Sequence, residues 1–322
     1  MSDITPYVEG PMQFGKIKDE PADVYHAADA LSNSKLKNFS ERPLYFWRKH
    51  VAKLIKQEET RPLRVGRAVD AWILEGPAVF HREFIVVPVN APKVPTSVQR
   101  AAAKPAQKSI DAMLWWDDFA AIAQDRCILS QVEWAEIARL EETLRSSPEV
   151  WAALNAGESQ ITWRKDYGNG IVVQVRTDVW CPNGISGICD TACIVDLKSC
   201  VSLSDSSFSS FNSQFSKLGY YRQAGLYTAV ISEILPAEER PVDGLRFFFA
   251  AAEKGEPFAA QLYEASQEDI TLGFRESVDA IEQVTKCYQT GVWPGSLGGV
   301  QMLHIPAWHR RKVEERLDGE QS

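Results

Sequence analysis

The sequence predicts an α/β fold, a central mixed sheet flanked by helices and carrying a helical elaboration. Three observations predict it. Residues 160–179 alternate in polarity about Asn169-Gly170, the pattern of a β-hairpin. Val65, Ala68, Val69, Trp72 and Ile73 follow the i, i+3, i+4, i+7, i+8 stripe of a helix packed on a core. Between these two, residues 90–150 read as mostly helical, acidic and Trp-rich around Trp115-Trp116-Asp117-Asp118.

Composition bounds the answer. With 322 residues, 45% of them hydrophobic, and ten tryptophans, the chain can bury one large core and is not a disordered protein. The first thirty residues lack a basic-then-apolar signal pattern, and no stretch approaches the ~18 apolar residues of a membrane span. The expectation is a soluble, cytoplasmic protein with no membrane partner. Four of the six cysteines, Cys181, Cys189, Cys193 and Cys200, lie within twenty residues but match no C-x-x-C knuckle, so buried free thiols are expected instead of a metal-thiolate site.

The net charge of −8 argues against a nucleic-acid partner, but its distribution argues for one. From Lys35 to Arg67 there are ten Lys/Arg against three Glu, so that segment carries +7 and leaves −15 for the rest. A basic strip on an acidic body suits a protein that meets a phosphate backbone along one face. Lys35, Arg42, Arg48, Lys49, Arg64 and Arg67 within the strip, and Arg176 beyond it, are the candidate DNA contacts. A solvated pair of amphipathic helices would give the same run of charge. The chain has no internal repeat, no Walker-type loop and no His/Cys nucleophile pair of suitable spacing.

Taken in order, residues 1–25 contain Pro6, Pro11 and Pro21 and read as an extended arm. Ser32-Asn33-Ser34 can cap a short helix through Phe39, and Pro43 suits the first turn of a second, with Leu44, Trp47, Val51 and Leu54 on its buried face. In the helix that follows, Gly66 and Asp70 are one turn apart on another face. A glycine there leaves room for a ligand or a chain segment, although an ordinary exposed aspartate fits the local sequence equally well. Residues 84–89 read as a short strand ending at Pro88, and 90–150 as an insertion that frames a cleft.

The catalytic sheet is expected over about 158–200, within a single domain spanning 26–300. Glu158 precedes strands 160–166 and 171–179, and an irregular loop leads to strand 193–198. Residues 208–232 read as one long helix with Tyr220, Gln223 and Tyr227 on a shared face. A hairpin over 245–263 and a helix over 268–288 follow, and residues 301–322 read as a charged, frayed tail.

Chemistry concentrates in two of these strands. Alternate side chains share a face, so Asp196 and Lys198 project together while Val195 and Leu197 enter a core. In the strand before, Gln174, Arg176 and Asp178 share a face. Neighbouring strands would bring Asp178, Asp196 and Lys198 into one small volume. Carboxylates gathered so closely repel unless a cation sits between them, and all-oxygen ligation suits Mg²⁺ or Mn²⁺. A metal, an ammonium and a polar cleft can hydrolyse a phosphodiester. Alone, an Asp-x-Lys pair on a strand is more often an exposed charge pair.

The surrounding residues give it weight. Leu31-Ser32-Asn33-Ser34-Lys35-Leu36-Lys37-Asn38-Phe39, Gly66 with Asp70, Glu158-Ser159, Arg176-Thr177-Asp178 and Val195-Asp196-Leu197-Lys198 follow one another in order. Gly219-Tyr220-Tyr221-Arg222-Gln223-Ala224 with Tyr227, Glu253-Lys254 and Trp293-Pro294 complete the series. Together, from about residue 25 to 293, they resemble the PD-(D/E)XK nuclease superfamily, and within it the RecE-type exonuclease VIII domain of phages and prophages.

The resemblance implies a restriction-endonuclease-like core with divalent metal on Asp178 and Asp196. It implies that Lys198 orients the attacking water and stabilises phosphate charge, that Gln223 and Tyr227 line the site, and that Glu158 lies close to the metals. The sequence departs from the pattern at Asp70, where related proteins carry a metal-binding histidine. An aspartate can still ligate Mg²⁺, so the change bears on metal number and preference and leaves the fold expectation intact. The implied activity is Mg²⁺-dependent (Mn²⁺ as an alternative) exonucleolytic degradation of linear duplex DNA, 5′→3′, giving single strands for recombination. A ring-like homo-oligomer, a single-strand-annealing recombinase partner and a bacterial, phage or prophage setting are implied with it. A structure-specific or single-strand endonuclease of DNA repair on the same fold, and a DNA-binding protein that has lost catalysis, stay open.

Overall fold

Seven strands form the central sheet. Numbered along the chain, their order is β1 (Thr5–Pro6), β2 (Gly15–Lys18), β5 (Glu158–Asp166), β6 (Val172–Cys181), β7 (Cys193–Cys200), β8 (Arg246–Glu253) and β9 (Ala260–Glu264). Two short strands, β3 (Phe84–Val86) and β4 (Cys127–Leu129), make a separate parallel pair. The structure is a computed structural model that describes residues 5–56, 59–204, 210–295, 300 and 302–319.

The sheet is mixed, as the sequence predicts. Strands β5, β6 and β7 are antiparallel neighbours, β7 and β8 run parallel, and β9 turns back antiparallel. A parallel pair needs a crossover connection. Helices α10 (Phe211–Lys217) and α11 (Tyr220–Ile234) supply it.

Earlier in the chain lie α1 (Ala22–Ala27), α2 (Asn33–Glu41), α3 (Pro43–Phe46), α4 (Arg61–Asp70) and α5 (Pro77–Glu83). The insertion contributes α6 (Ser97–Ala101), α7 (Gln107–Ala123), α8 (Gln131–Arg145) and α9 (Pro148–Leu154). The last two helices are α12 (Gln267–Thr290) and α13 (Ala307–Gly319).

Period-2 alternation divides the sheet between two cores. Ile194, Phe247 and Phe249 pack with Ala224, Val230 and Ile231 of α11 and Val284 of α12. Val195, Leu197, Phe248 and Ala250 face the other way, toward Val69 of α4, Leu144 of α8 and Val150 of α9. Phe247 and Phe249 are almost fully buried, and each such side chain contributes about 1.5–3 kcal/mol.

Helices α11 and α12 cross with their backbones in contact. A Cβ on Gly225 would lie 2.2 Å from the Phe274 nitrogen, and one on Gly273 would lie 2.1 Å from the Tyr221 carbonyl oxygen. Only glycine fits at that crossing, which sets how closely α11 and α12 approach.

Several expectations are corrected. Within the stretch expected as an extended arm, the described residues join the sheet: Gly15, Lys16 and Ile17 pair with Arg164, Trp163 and Thr162, covering an edge of β5 whose N–H and C=O groups would otherwise be unpaired. The buried residue of the second helix is Phe46, while Leu44 and Leu54 are exposed. That helix widens into a π-helical turn at Trp47–Val51, which shifts the phase from the 3.6-residue stripe. The helix expected over 208–232 is two helices, since Gly219 adopts a left-handed φ of 72° where α10 gives way to α11. Residues 205–209 lie outside the described residues. The charged tail is helical over Ala307–Gly319.

All six cysteines are free thiols, and the four clustered ones are buried as expected. Among the described residues, no helix is long and apolar enough to cross a membrane.

Candidate active site

The site lies where β6 and β7 part. Their ladder pairs Cys181 with Cys193, Trp180 with Ile194 and Val179 with Val195, and one step further sets Asp178 across from Asp196. At that step Leu197 N–H donates 2.8 Å to Asp178 Oδ2. A carboxylate has taken the place of a backbone acceptor, and the strands open around it. Strand β7 stays paired with β8 from Cys193 to Cys200, so the opening is on the β6 side alone.

Asp196 is buried, 2% exposed. Its Oδ1 accepts from Gln223 Nε2 of α11 at 2.6 Å, and its Oδ2 is ion-paired with Lys198 Nζ. The Lys198 ammonium also stands 5.2 Å from the Tyr220 ring centroid. One turn beyond Gln223, Tyr227 lies on the same helix face and feels Asp196 and Asp178 electrostatically. Asp70 enters from the last turn of α4 and feels Asp178, Lys198 and Asp196 electrostatically. The expected cluster of Asp70, Asp178, Asp196, Lys198, Gln223 and Tyr227 is therefore assembled in space.

The charges are crowded and partly stripped of water. Burial, then the neighbouring Asp196, pushes the Asp178 carboxyl up to about 7, against the favourable pull of Lys198 and of Leu197 N–H. Burial and Asp178 hold Asp70 well above the ordinary carboxylate range. Burial would lower Lys198, but the Asp196 and Asp178 carboxylates outweigh it and keep the ammonium firmly protonated. Burial raises the Tyr227 phenol, and Tyr220 follows the same direction for the same reason.

This donor set suits a hard divalent cation: three carboxylates, two of them raised by desolvation and mutual repulsion that a positive charge between them would relieve. Among the described residues, no three His, Cys, Asp or Glu side chains stand as a ready coordination shell. Lys198 and Gln223 occupy the two oxygens of Asp196 instead.

Glu158 is not brought to the cluster. It lies directly across from Trp180 of β6 and is ion-paired with Lys16 Nζ at 3.0 Å. The residue that does arrive from β5 is Gln160, which the sequence reading missed. It stands opposite Asp178 in the β5–β6 register, and its side-chain amide favours the ionised Asp178 carboxylate.

Four of the seven candidate DNA contacts have partners within the fold, although the strip itself lies at the surface. Lys35 Nζ donates at 2.8 Å to the carbonyls of Ala28 and Ala30. Arg64 pairs with Glu133 at 2.6 Å, and Arg67 pairs with Glu59. Arg176 donates to the Glu20 carbonyl and lies over the Tyr25 ring. These four expected DNA contacts are thus engaged within the protein. Arg42 and Lys49 lie over the Tyr45 ring, and Arg48 is exposed beside them.

A family described as a PDDEXK-like domain of unknown function matches residues 32–306 of the chain. A crystal structure of a protein described as a "putative exonuclease" from Eubacterium rectale is similar, with a TM-score of 0.57 at 14% identity, over 92% of this chain and 96% of that one. At that identity the likeness is one of fold. No curated protein matches the chain in sequence.

Proposed function

Because the chain belongs to this family of PDDEXK-like domains, we propose that it is a metal-dependent nuclease, and more narrowly a RecE-like exodeoxyribonuclease acting on linear duplex DNA. The observation that supports it most is the splayed end of β6 and β7, where Asp178 meets Asp196 beside a protonated Lys198.

In this reading Asp70, Asp178 and Asp196 hold a divalent cation, Mg²⁺ or Mn²⁺. When bound, it supplies Lewis-acid charge at the phosphate and favours ionisation of water. Lys198 is held cationic by its two carboxylate neighbours, so its role is to orient the incoming water and offset charge growing on the phosphate. Gln223 orients Asp196 through the 2.6 Å hydrogen bond. Tyr227, one turn along the same face of α11, lines the site behind Gln223. Arg42, Arg48 and Lys49 track the DNA backbone. Direction 5′→3′, supply of single strands to an annealing recombinase, a ring-like homo-oligomer, and a phage or prophage origin in a bacterial cytoplasm complete the proposal and rest on the resemblance.

The test is digestion of end-labelled linear duplex, single-stranded and covalently closed circular DNA, each with Mg²⁺ and with EDTA. Mg²⁺-dependent loss of linear duplex from its 5′ ends, with circles spared, is the expected result. Cut circles would replace the exonuclease by an endonuclease. Tight DNA binding without cleavage in Mg²⁺ or Mn²⁺ would mean that the fold has kept binding and lost catalysis.

A further inference from the structure

We infer that Gln160 is a positioning residue for Asp178, turned onto that carboxylate by a left-handed backbone inside strand β5. The inference rests on the metal-dependent reading above. Three observations carry it.

First, Gln160 has a φ of 54°. A side chain with a Cβ rarely adopts that conformation, glutamine has no short polar arm to stabilise it locally, and within a strand it breaks the regular pleat. Second, the break falls in one row of the sheet. The β5–β6 ladder pairs Ser159 with Val179 and Ile161 with Thr177, so Gln160 stands across from Asp178 at the one step the ladder skips. The β6–β7 ladder stops before the same row, with Asp196 next across from Asp178. Third, the Gln160 amide faces the Asp178 carboxylate closely enough to favour its charged form, and Asp178 Oδ2 accepts from Leu197 N–H on the other side. Asp178 is therefore held from the β7 side by a backbone N–H and faced from the β5 side by an amide.

Backbone strain that persists at a single polar residue, aimed at a candidate ligand, marks a site where the surroundings impose the conformation. An amide is also chemically suited to the task. It can donate to the carboxylate without adding a further negative charge beside Asp70, Asp178 and Asp196. Glu158, the acid of the same strand, is turned to Lys16 instead. Groups that orient metal ligands in this way alter metal affinity by about 10–100-fold when removed.

The experiment compares the full-length wild type with Gln160→Gly and Gln160→Asn. Mn²⁺ affinity is measured by calorimetry, and thermal stability in EDTA is measured alongside. Glycine accepts the left-handed backbone and lacks the amide; asparagine tolerates the backbone and keeps an amide. Gln160→Gly is expected to melt at or above the wild-type temperature in EDTA yet bind Mn²⁺ about tenfold or more weakly. Gln160→Asn is expected to recover part of that affinity. Unchanged Mn²⁺ affinity in Gln160→Gly, with the wild type binding normally, would overturn the positioning role alone. Loss of stability and affinity together, without recovery in Gln160→Asn, would reduce Gln160 to a structural residue. Absence of Mn²⁺ binding by the wild type would overturn the metal-dependent reading and this inference with it.

Discussion

Asp178 is the residue on which the site turns, because its carboxylate both ends a strand ladder and faces two other acids. Its folded value is raised from 3.8 to about 7, chiefly by burial. A carboxyl raised on folding contributes stability that is full below the unfolded value and is lost as pH rises through the folded one. Melting of the metal-free protein should therefore fall as pH rises from about 4 toward 7. Asp178→Asn should flatten that dependence in EDTA and abolish the gain in melting temperature on adding Mn²⁺. An unchanged slope would remove Asp178 from the desolvated cluster. At this scale the sequence was informative where one strand sufficed. Asp196 and Lys198 share a face by period 2, and Gln223 and Tyr227 share one by helical spacing. It failed where register between strands decides. Centring the hairpin on Asn169-Gly170 would set Ile161 opposite Asp178, whereas the pairing of Asp166 with Val172 sets Gln160 there. Glu158 was expected near the acids from the resemblance, and in the fold it pairs with Lys16 instead.

The elements are arranged so that α11 presents Gln223 and Tyr227 to β7. What fixes α11 is its backbone contact with α12 at Gly225 and Gly273. Gly225→Ala should destabilise the protein by on the order of 3 kcal/mol, read as a lower urea midpoint, because the added methyl meets backbone that cannot move aside. Cleavage should fall with it, since α11 would be lifted from Asp196. A neutral Gly225→Ala would show that the crossing does not position the helix. Most elements were legible, since the hairpin turn, the Ser32 cap and the stripe of α4 are local signals. The break at Gly219 and the π-helical turns at Trp47–Val51 and Ala71–Glu75 were not, because tertiary packing sets them.

On the scale of the whole molecule, net charge and charge placement pull in different directions. The +7 strip was read as a DNA-facing wall, yet Lys35, Arg64, Arg67 and Arg176 have partners within the fold. Sequence reports charge but not which acid will neutralise it, and Glu133 is 69 residues from Arg64. Replacing Arg42, Arg48 and Lys49 together by Ala should weaken DNA binding with little loss of stability. The slope of log affinity against log salt should drop by roughly 0.9 for each phosphate contact removed. An unchanged slope would place the DNA on another face.

The central claim is that one cluster at the parting of β6 and β7 cuts phosphodiesters. Its most direct test is Mg²⁺-dependent cleavage of end-labelled linear duplex by the wild type, Asp196→Ala and Lys198→Ala, with DNA affinity measured in parallel in EDTA. The account predicts that both variants lose at least about 10²–10³-fold in rate while their DNA affinity stays measurable. Full cleavage by either variant would contradict it.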